Sequence, residues 1–168
     1  MKYFLWLTLP LLVLDQVTKL SILKHFPDPR VTPFGQQRVI PVIDGFFDLV
    51  RVHNTGMAFG GFSSLENSNV VFCGIALVAL VVLTVLWRRG AFPGPLTKVA
   101  AALLVAGVLG NLIDRIAHNY VVDFLDFYWK THHWPSFNVA DSCITVAACL
   151  LFISAFTTPQ ESNRKRTL

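Results

Sequence analysis

Residues 99–126 read VAAALLVAGVLGNLIDRIAHNYVVDFLD, an apolar run that ends in acids. From Val99 to about Ile116 the run approaches the roughly 20 residues that cross a bilayer. Gly107 and Gly110 leave room for another backbone to approach, as small residues do between membrane helices. Asn111, Asp114 and Arg115 cluster where that helix would near the membrane surface, and satisfying a helix end explains them as well as function does. Val121-Val122 then reads as extended, and Asp123 stands in an apolar setting of Tyr120, Val121, Val122 and Phe124.

Three more runs have the same character: about Tyr3 to Leu23, Val70 to Trp87 and about Val139 to Phe156. Trp6, Trp87 and Trp134 lie near run ends, as an aromatic belt would place them. Of the 168 residues, 54% are hydrophobic and only 14% charged, against about 25% charged in an ordinary soluble domain. The sequence therefore predicts a mainly α membrane protein, one integral membrane domain over residues 1–168. Its four transmembrane helices are expected near 3–23, 70–87, 99–116 and 139–156. Lys2 before the first run suggests a cleaved signal peptide, but no small-residue cleavage site follows and the run resumes through Val17 to Leu23, which favours a retained helix.

Lys and Arg in short loops set the orientation. Arg88, Arg89 and Lys98 separate the second and third runs without an acid, Arg164, Lys165 and Arg166 follow the fourth, and Lys2 precedes the first. On the other side Asp28, Asp44, Asp48, Glu66, Asp123 and Asp126 balance the basic residues. Both termini are thus expected in the cytoplasm, with segment 27–69 outside. Residues 27–41 hold four prolines and read as irregular. Val39 to Val42 and Phe46 to His53, around Asp44-Gly45, read as a short hairpin. Ser63 to Glu66 forms a capping-box pattern before the second run. A small extracytoplasmic β layer with a short surface helix is the expectation.

The net charge of +4 comes from residues beside apolar runs, which suits lipid headgroups and cytoplasmic anchoring and speaks against nucleic acid. Cys73, Cys143 and Cys149 all lie inside apolar runs with no ligand spacing. His132-His133 is an adjacent pair unsuited to chelation and expected at the surface, while His25, His53 and His118 are isolated. No metal and no cofactor is expected.

Ionisable residues in membrane helices cost about 2.5–3.5 kcal/mol each at the centre on insertion scales. Asp15 and Lys19, four apart on one helix face, read first as a structural polar pair. Asp141, in Phe137-Asn138-Val139-Ala140-Asp141, opens the fourth run and suits a helix N-terminus. Together Asp123 and Asp141 put two carboxylates at the same boundary. Two close carboxylates in a poorly solvated site share a proton and titrate as a pair. The ionised member can activate water while the protonated one polarises a carbonyl, which is aspartic-protease chemistry. Neither H-E-x-x-H nor G-x-S-x-G occurs, and Ser63 and Ser64 lack a well-placed lysine. Composition alone does not choose between Asp123 and Asp126, but in an extended segment residues three apart point to opposite faces, so only one meets Asp141. Asp126 is expected to be the solvated one.

These motifs resemble the lipoprotein signal peptidase (signal peptidase II) family over nearly the whole chain. Asp15-Gln-Val-Thr18-Lys19 is similar to the family's D-Q-x-[ST]-K, and Asn54-Thr-Gly56-Met-Ala58-Phe59 to N-x-G-x-[AS]-F. Gly107-x-x-Gly110-Asn111-x-x-Asp114-Arg115, Val122-Asp123-Phe124 and Phe137-Asn138-x-Ala140-Asp141 complete the set. The resemblance implies a catalytic pair of Asp123 and Asp141, with Asn54, Gly56, Asn111, Arg115, Asn138 and Ala140 lining or supporting the site. It implies a prolipoprotein substrate carrying diacylglycerol on its lipobox cysteine, cut just before that cysteine. It further implies a monomer among membrane lipids in the bacterial inner membrane, a site near the outer face, and inhibition by globomycin-type peptides. A proton-relay carrier or channel would instead put acids near the bilayer midplane on broken helices. The G-x-G-D intramembrane proteases are excluded by the absence of that tetrapeptide.

Overall fold

The computed structural model describes residues 2–33, 35–56 and 68–157. Four helices are long and apolar enough to cross a membrane. The first opens as a π-helical turn, Phe4–Thr8, and continues as α1, Leu9–His25. Pro10 has no N–H for a standard helical bond, and just before it the Leu9 N–H reaches back five residues to the Phe4 carbonyl. Helix α2 spans Ser68–Arg88, α3 spans Pro95–His118 and α4 spans Val139–Thr157. Helix α3 starts four residues earlier than the apolar run indicated. Pro95 takes its first position, and Gly94 and Thr97 exchange bonds of 3.2 and 3.0 Å. Asn119, in the left-handed region at φ 65°, ends it.

At the end of the bundle where α1 and α3 finish and α2 and α4 begin lies a four-stranded antiparallel sheet in the order β1-β2-β3-β4. Its strands are β1 (Ile40–Ile43), β2 (Phe47–Asn54), β3 (Val121–Trp129) and β4 (His132–His133). The first two form the expected hairpin, with Gly45 at φ 76° in its turn. Strand β3, of which only the first residues read as extended, pairs with β2 in a register that sets Leu49 opposite Leu125 and Val52 opposite Asp123. The capping pattern at Ser63–Glu66, the surface helix expected beside it, Met57 to Phe59 and the basic residues Arg164 to Arg166 lie outside the described residues.

Two cores hold the parts together. Ala100, Leu103, Cys143 and Ala147 pack α3 on α4, with Leu7 and Leu11 from the first helix. Ile22 and Phe26 seat the sheet through Tyr120, Val122 and Phe124. The helices approach closely because α3 is lined with small residues: a Cβ on Gly107 would meet the Ala140 carbonyl and the Ile144 side chain. Arginines from the sheet region close the C-terminus of α1. Arg51 donates to the Leu23 and Phe26 carbonyls at 3.2 and 2.7 Å, and Arg38 to that of His25 at 2.8 Å. These satisfy carbonyls that a helix end otherwise leaves to water.

Candidate active site

Asp123 sits in the third position of β3, 1% exposed. Asp141 sits in the first turn of α4. The backbone brings them together before any side chain acts. Phe124 and Leu125 both donate to the Phe137 carbonyl (3.0 and 2.9 Å), and the Phe137 N–H returns a bond of 3.1 Å to Leu125. The chain leaving β4 is thereby pinned against β3, and Asn138 arrives beside Asp123 as α4 begins.

Asn138, fully buried, joins the two acids. Its Nδ2 donates to Asp123 Oδ1 at 2.7 Å, while its Oδ1 accepts the Asp141 N–H at 2.9 Å. Asp141 Oδ2 accepts the Asn138 N–H in return at 3.3 Å, so the pair also forms a reciprocal N-terminal cap. Asn111 Nδ2 donates to Asp141 Oδ1 at 2.7 Å, and Asn54 Nδ2 to Asp123 Oδ2 at 2.9 Å. Gly56, at φ 96°, turns its N–H onto Asn54 Oδ1 (2.8 Å) and leaves space for the Phe72 ring, which a Cβ there would strike. Four of the residues implied by the motifs, Asn54, Gly56, Asn111 and Asn138, thus converge on the carboxylates through hydrogen bonds.

The remaining two behave differently. Ala140 contributes its backbone, an N–H donated to Asp15 Oδ1 at 2.8 Å. Arg115 lies over the Phe72 ring, 4.9 Å from its centre, and among the described residues makes no ion pair with either carboxylate. Asp15 and Lys19 form the expected contact at 2.9 Å, but they are not alone: Asp114, missed as a partner, lies 3.1 Å from the same ammonium.

Burial pushes the Asp123 carboxyl up to about 7, and the charge of Asp141 adds to the effect, against the opposing amides of Asn54 and Asn138. Asp126 corrects the expectation of a solvated acid. It is 8% exposed and accepts from His133 Nδ1 at 2.9 and 3.1 Å. It still lies apart from the pair, because three residues along a strand reverse the face. His53 is not isolated either: it stacks on Tyr120 at 3.7 Å and accepts from Arg51 Nε at 3.0 Å. Burial and the Arg51 charge push it down to about 4, so it is neutral near pH 7. No sequence motif marked these contacts: the β2–β3 register sets His53 near Tyr120, and the β3–β4 pairing sets His133 near Asp126.

Among the described residues no cluster of His, Cys, Asp and Glu could hold a metal ion. A groove of about 330 Å3 opens beside Asp141, between Trp134 and Phe137 on one side and Ser142, Thr145 and Val146 of α4 on the other. The arrangement offers two carboxylates fixed by amides, one of which, Asp141, lines an apolar groove, and this suits hydrolysis of a bond carried on a membrane-associated chain.

A family model described as signal peptidase (SPase) II matches residues 7–157. The lipoprotein signal peptidase of Geobacter sulfurreducens is 42% identical over 154 residues, 92% of this chain and 89% of the relative. That of Symbiobacterium thermophilum is 43% identical over 141 residues, 84% and 86% of the two chains. That of Vibrio cholerae is 38% identical over 154 residues, covering 91% and 86%. A solved bacterial membrane enzyme superposes with a TM-score of 0.79 at 28% identity, covering all of this chain and 96% of the other.

Proposed function

The chain belongs to the signal peptidase II family, and from that premise we propose that Asp123 and Asp141 are its catalytic carboxylates. It is a multi-pass membrane protease that removes signal peptides from prolipoproteins by an aspartic mechanism. The observation that carries the residue assignment is Asn138, whose one side chain contacts Asp123 and the cap of Asp141.

In this reading the pair holds one proton. The ionised carboxylate takes a proton from water, the water oxygen attacks the scissile carbonyl, and the protonated carboxyl stabilises the developing oxyanion. Collapse of the tetrahedral intermediate breaks the C–N bond and returns a proton to the leaving amine. Asn54, Gly56, Asn111 and Asn138 hold the carboxylates in place, Ala140 supports Asp141 through its backbone, and Arg115 lends positive charge at the rim. The substrate is a prolipoprotein with diacylglycerol on its lipobox cysteine, cut immediately before that cysteine. Its acyl chains fit the apolar groove beside Asp141, at the depth a lipid-modified cysteine would occupy.

The sheet end carries Asp28, Asp44 and Asp48, and the opposite end carries Arg88 and Arg89. That asymmetry favours cytoplasmic termini in the inner membrane and a site near the outer face. A single domain acting as a monomer, and sensitivity to globomycin-type cyclic peptides, complete the reading. The test is mass spectrometry of products from synthetic prolipoprotein peptides with and without the diacylglyceryl group. A product beginning at the lipidated cysteine, with the unmodified peptide left intact, is expected. Equal cleavage of both peptides would remove the lipid from the assignment.

A further inference from the structure

We infer that Lys19, with Asp15 and Asp114, is a positioning device that sets the two catalytic carboxylates against each other. This goes beyond a clamp between helices and rests on the assignment of Asp123 and Asp141 made above.

The cluster is dry, with Lys19 2% exposed and both acids no more exposed than 3%. An ammonium has three protons to give, and all three have partners: Asp15 Oδ2 at 2.9 Å, Asp114 Oδ2 at 3.1 Å and Asn111 Oδ1 at 3.1 Å. Each acid also takes one backbone N–H from outside its own helix. Asp15 takes that of Ala140, the residue before Asp141, at 2.8 Å, and Asp114 that of Val122, the residue before Asp123, at 2.9 Å. One cation therefore ties down the chain on the N-terminal side of both carboxylates. Its third contact orients the Asn111 amide: with the oxygen facing the ammonium, the NH2 must face Asp141, which it meets at 2.7 Å. Gln16 closes the group, its Nε2 lying 3.1 Å from Asp15 Oδ2 and 3.2 Å from the Gly110 carbonyl.

Stability alone does not account for this arrangement. Buried ion groups are often no more stabilising than packed apolar side chains of similar volume. Held geometry is what an apolar cluster would not supply, and a displacement of about 1 Å at a reacting group costs about 10²-fold in rate.

Two variants test the inference in purified, full-length protein: Lys19→Met, and Lys19→Met with Asp15→Asn, which preserves the cluster's net charge. Rates are measured per folded molecule on a diacylglyceryl prolipoprotein peptide, with folding followed by thermal melting in detergent. The expected result is a kcat lowered about 10²-fold with KM within about threefold of the parent. Adding Asn111→Leu to Lys19→Met should cost less than about threefold beyond Asn111→Leu alone, because the two changes break one chain of contacts. Retention of kcat, losses that multiply in full, an effect confined to melting temperature or KM, or failure of both variants to fold would each overturn it. Failure of the dyad reading is distinct: there Asp123→Asn or Asp141→Asn stays active whatever Lys19 does.

Discussion

Helices α2 and α3 are each long and apolar enough to span a bilayer, and they use that property in opposite ways. Helix α2 has no charged residue between Val70 and Trp87 and buries none of its side chains. Helix α3 buries nine residues, six of them Ala or Gly, and carries Asn111, Asp114 and Arg115 in its final turns. In water the more apolar helix would be the core. In lipid, large apolar side chains gain little by leaving acyl chains for protein, so the interior goes to small residues that permit close packing and to polar ones that need partners. Apolarity therefore reports which segments meet lipid, while glycines and unexpected acids report where the protein folds on itself.

The largest effect should come from filling space on α3 but not on α2. A side chain at Gly107 meets the Ala140 carbonyl and Ile144, whereas one at Gly74 meets nothing within 4 Å. Gly107→Val should fail to yield a monodisperse folded protein, because no flexible group can yield to it. Gly74→Val should melt within about 1 kcal/mol of the parent. Equal tolerance at the two positions would break the comparison.

A smaller effect is expected from the acid that follows α3. Asp123 keeps its proton to about 7 in the folded chain, against 3.8 for an ordinary aspartate. Between those values the folded state binds the extra proton, so the contribution of this group to stability is fully present below about pH 4 and is lost as pH rises through 7. Asp123→Asn removes that titration. Its melting temperature in detergent should exceed the parent's at about pH 8, and the difference should close by about pH 5. An unchanging difference between these pH values would mean that Asp123 ionises normally. In the parent, cleavage should also fall above about pH 7 as the pair loses its shared proton.

The smallest effect concerns hydroxyls. Thr8 donates to the Ala102 carbonyl across the α3 contact at 2.8 Å, while Thr84 on α2 donates within its own helix, to the Leu80 carbonyl at 2.8 Å. Thr8→Val should destabilise by about 0.6 kcal/mol and Thr84→Val by less. A reversal of that order in melting temperature would show that α2 packs more tightly than its exposure indicates.

Four helices and the β1–β2 hairpin were legible in the sequence, because apolar length and turn chemistry are local signals. The start of α3 was read late, since Pro95 to Lys98 belong to the helix but not to the apolar run. Most of β3 was hidden for another reason: its partners, β2 and Phe137, are distant in sequence. The same non-locality concealed the stacking of His53 on Tyr120 and the third member of the Lys19 cluster, while the Asp126–His133 contact, only seven residues apart, needed the β3–β4 pairing that no turn signal marked. Asp123 and Asp141 stood out as acids in apolar surroundings. What sequence could not convey was Asn138 as the link between them, which depends on the pairing of Phe137 with Leu125.

The central claim is that Asp123 and Asp141, and not Asp126, perform the hydrolysis. It is tested most directly by single-turnover cleavage of a diacylglyceryl prolipoprotein peptide by the parent, Asp123→Asn, Asp141→Asn and Asp126→Asn proteins, each shown to be folded. Loss of at least about 10²–10⁴-fold is predicted for the first two variants. Most activity should remain in Asp126→Asn, whose carboxylate faces His133 on the other side of the strand. Activity surviving in Asp123→Asn or Asp141→Asn, or lost only in Asp126→Asn, would contradict the account.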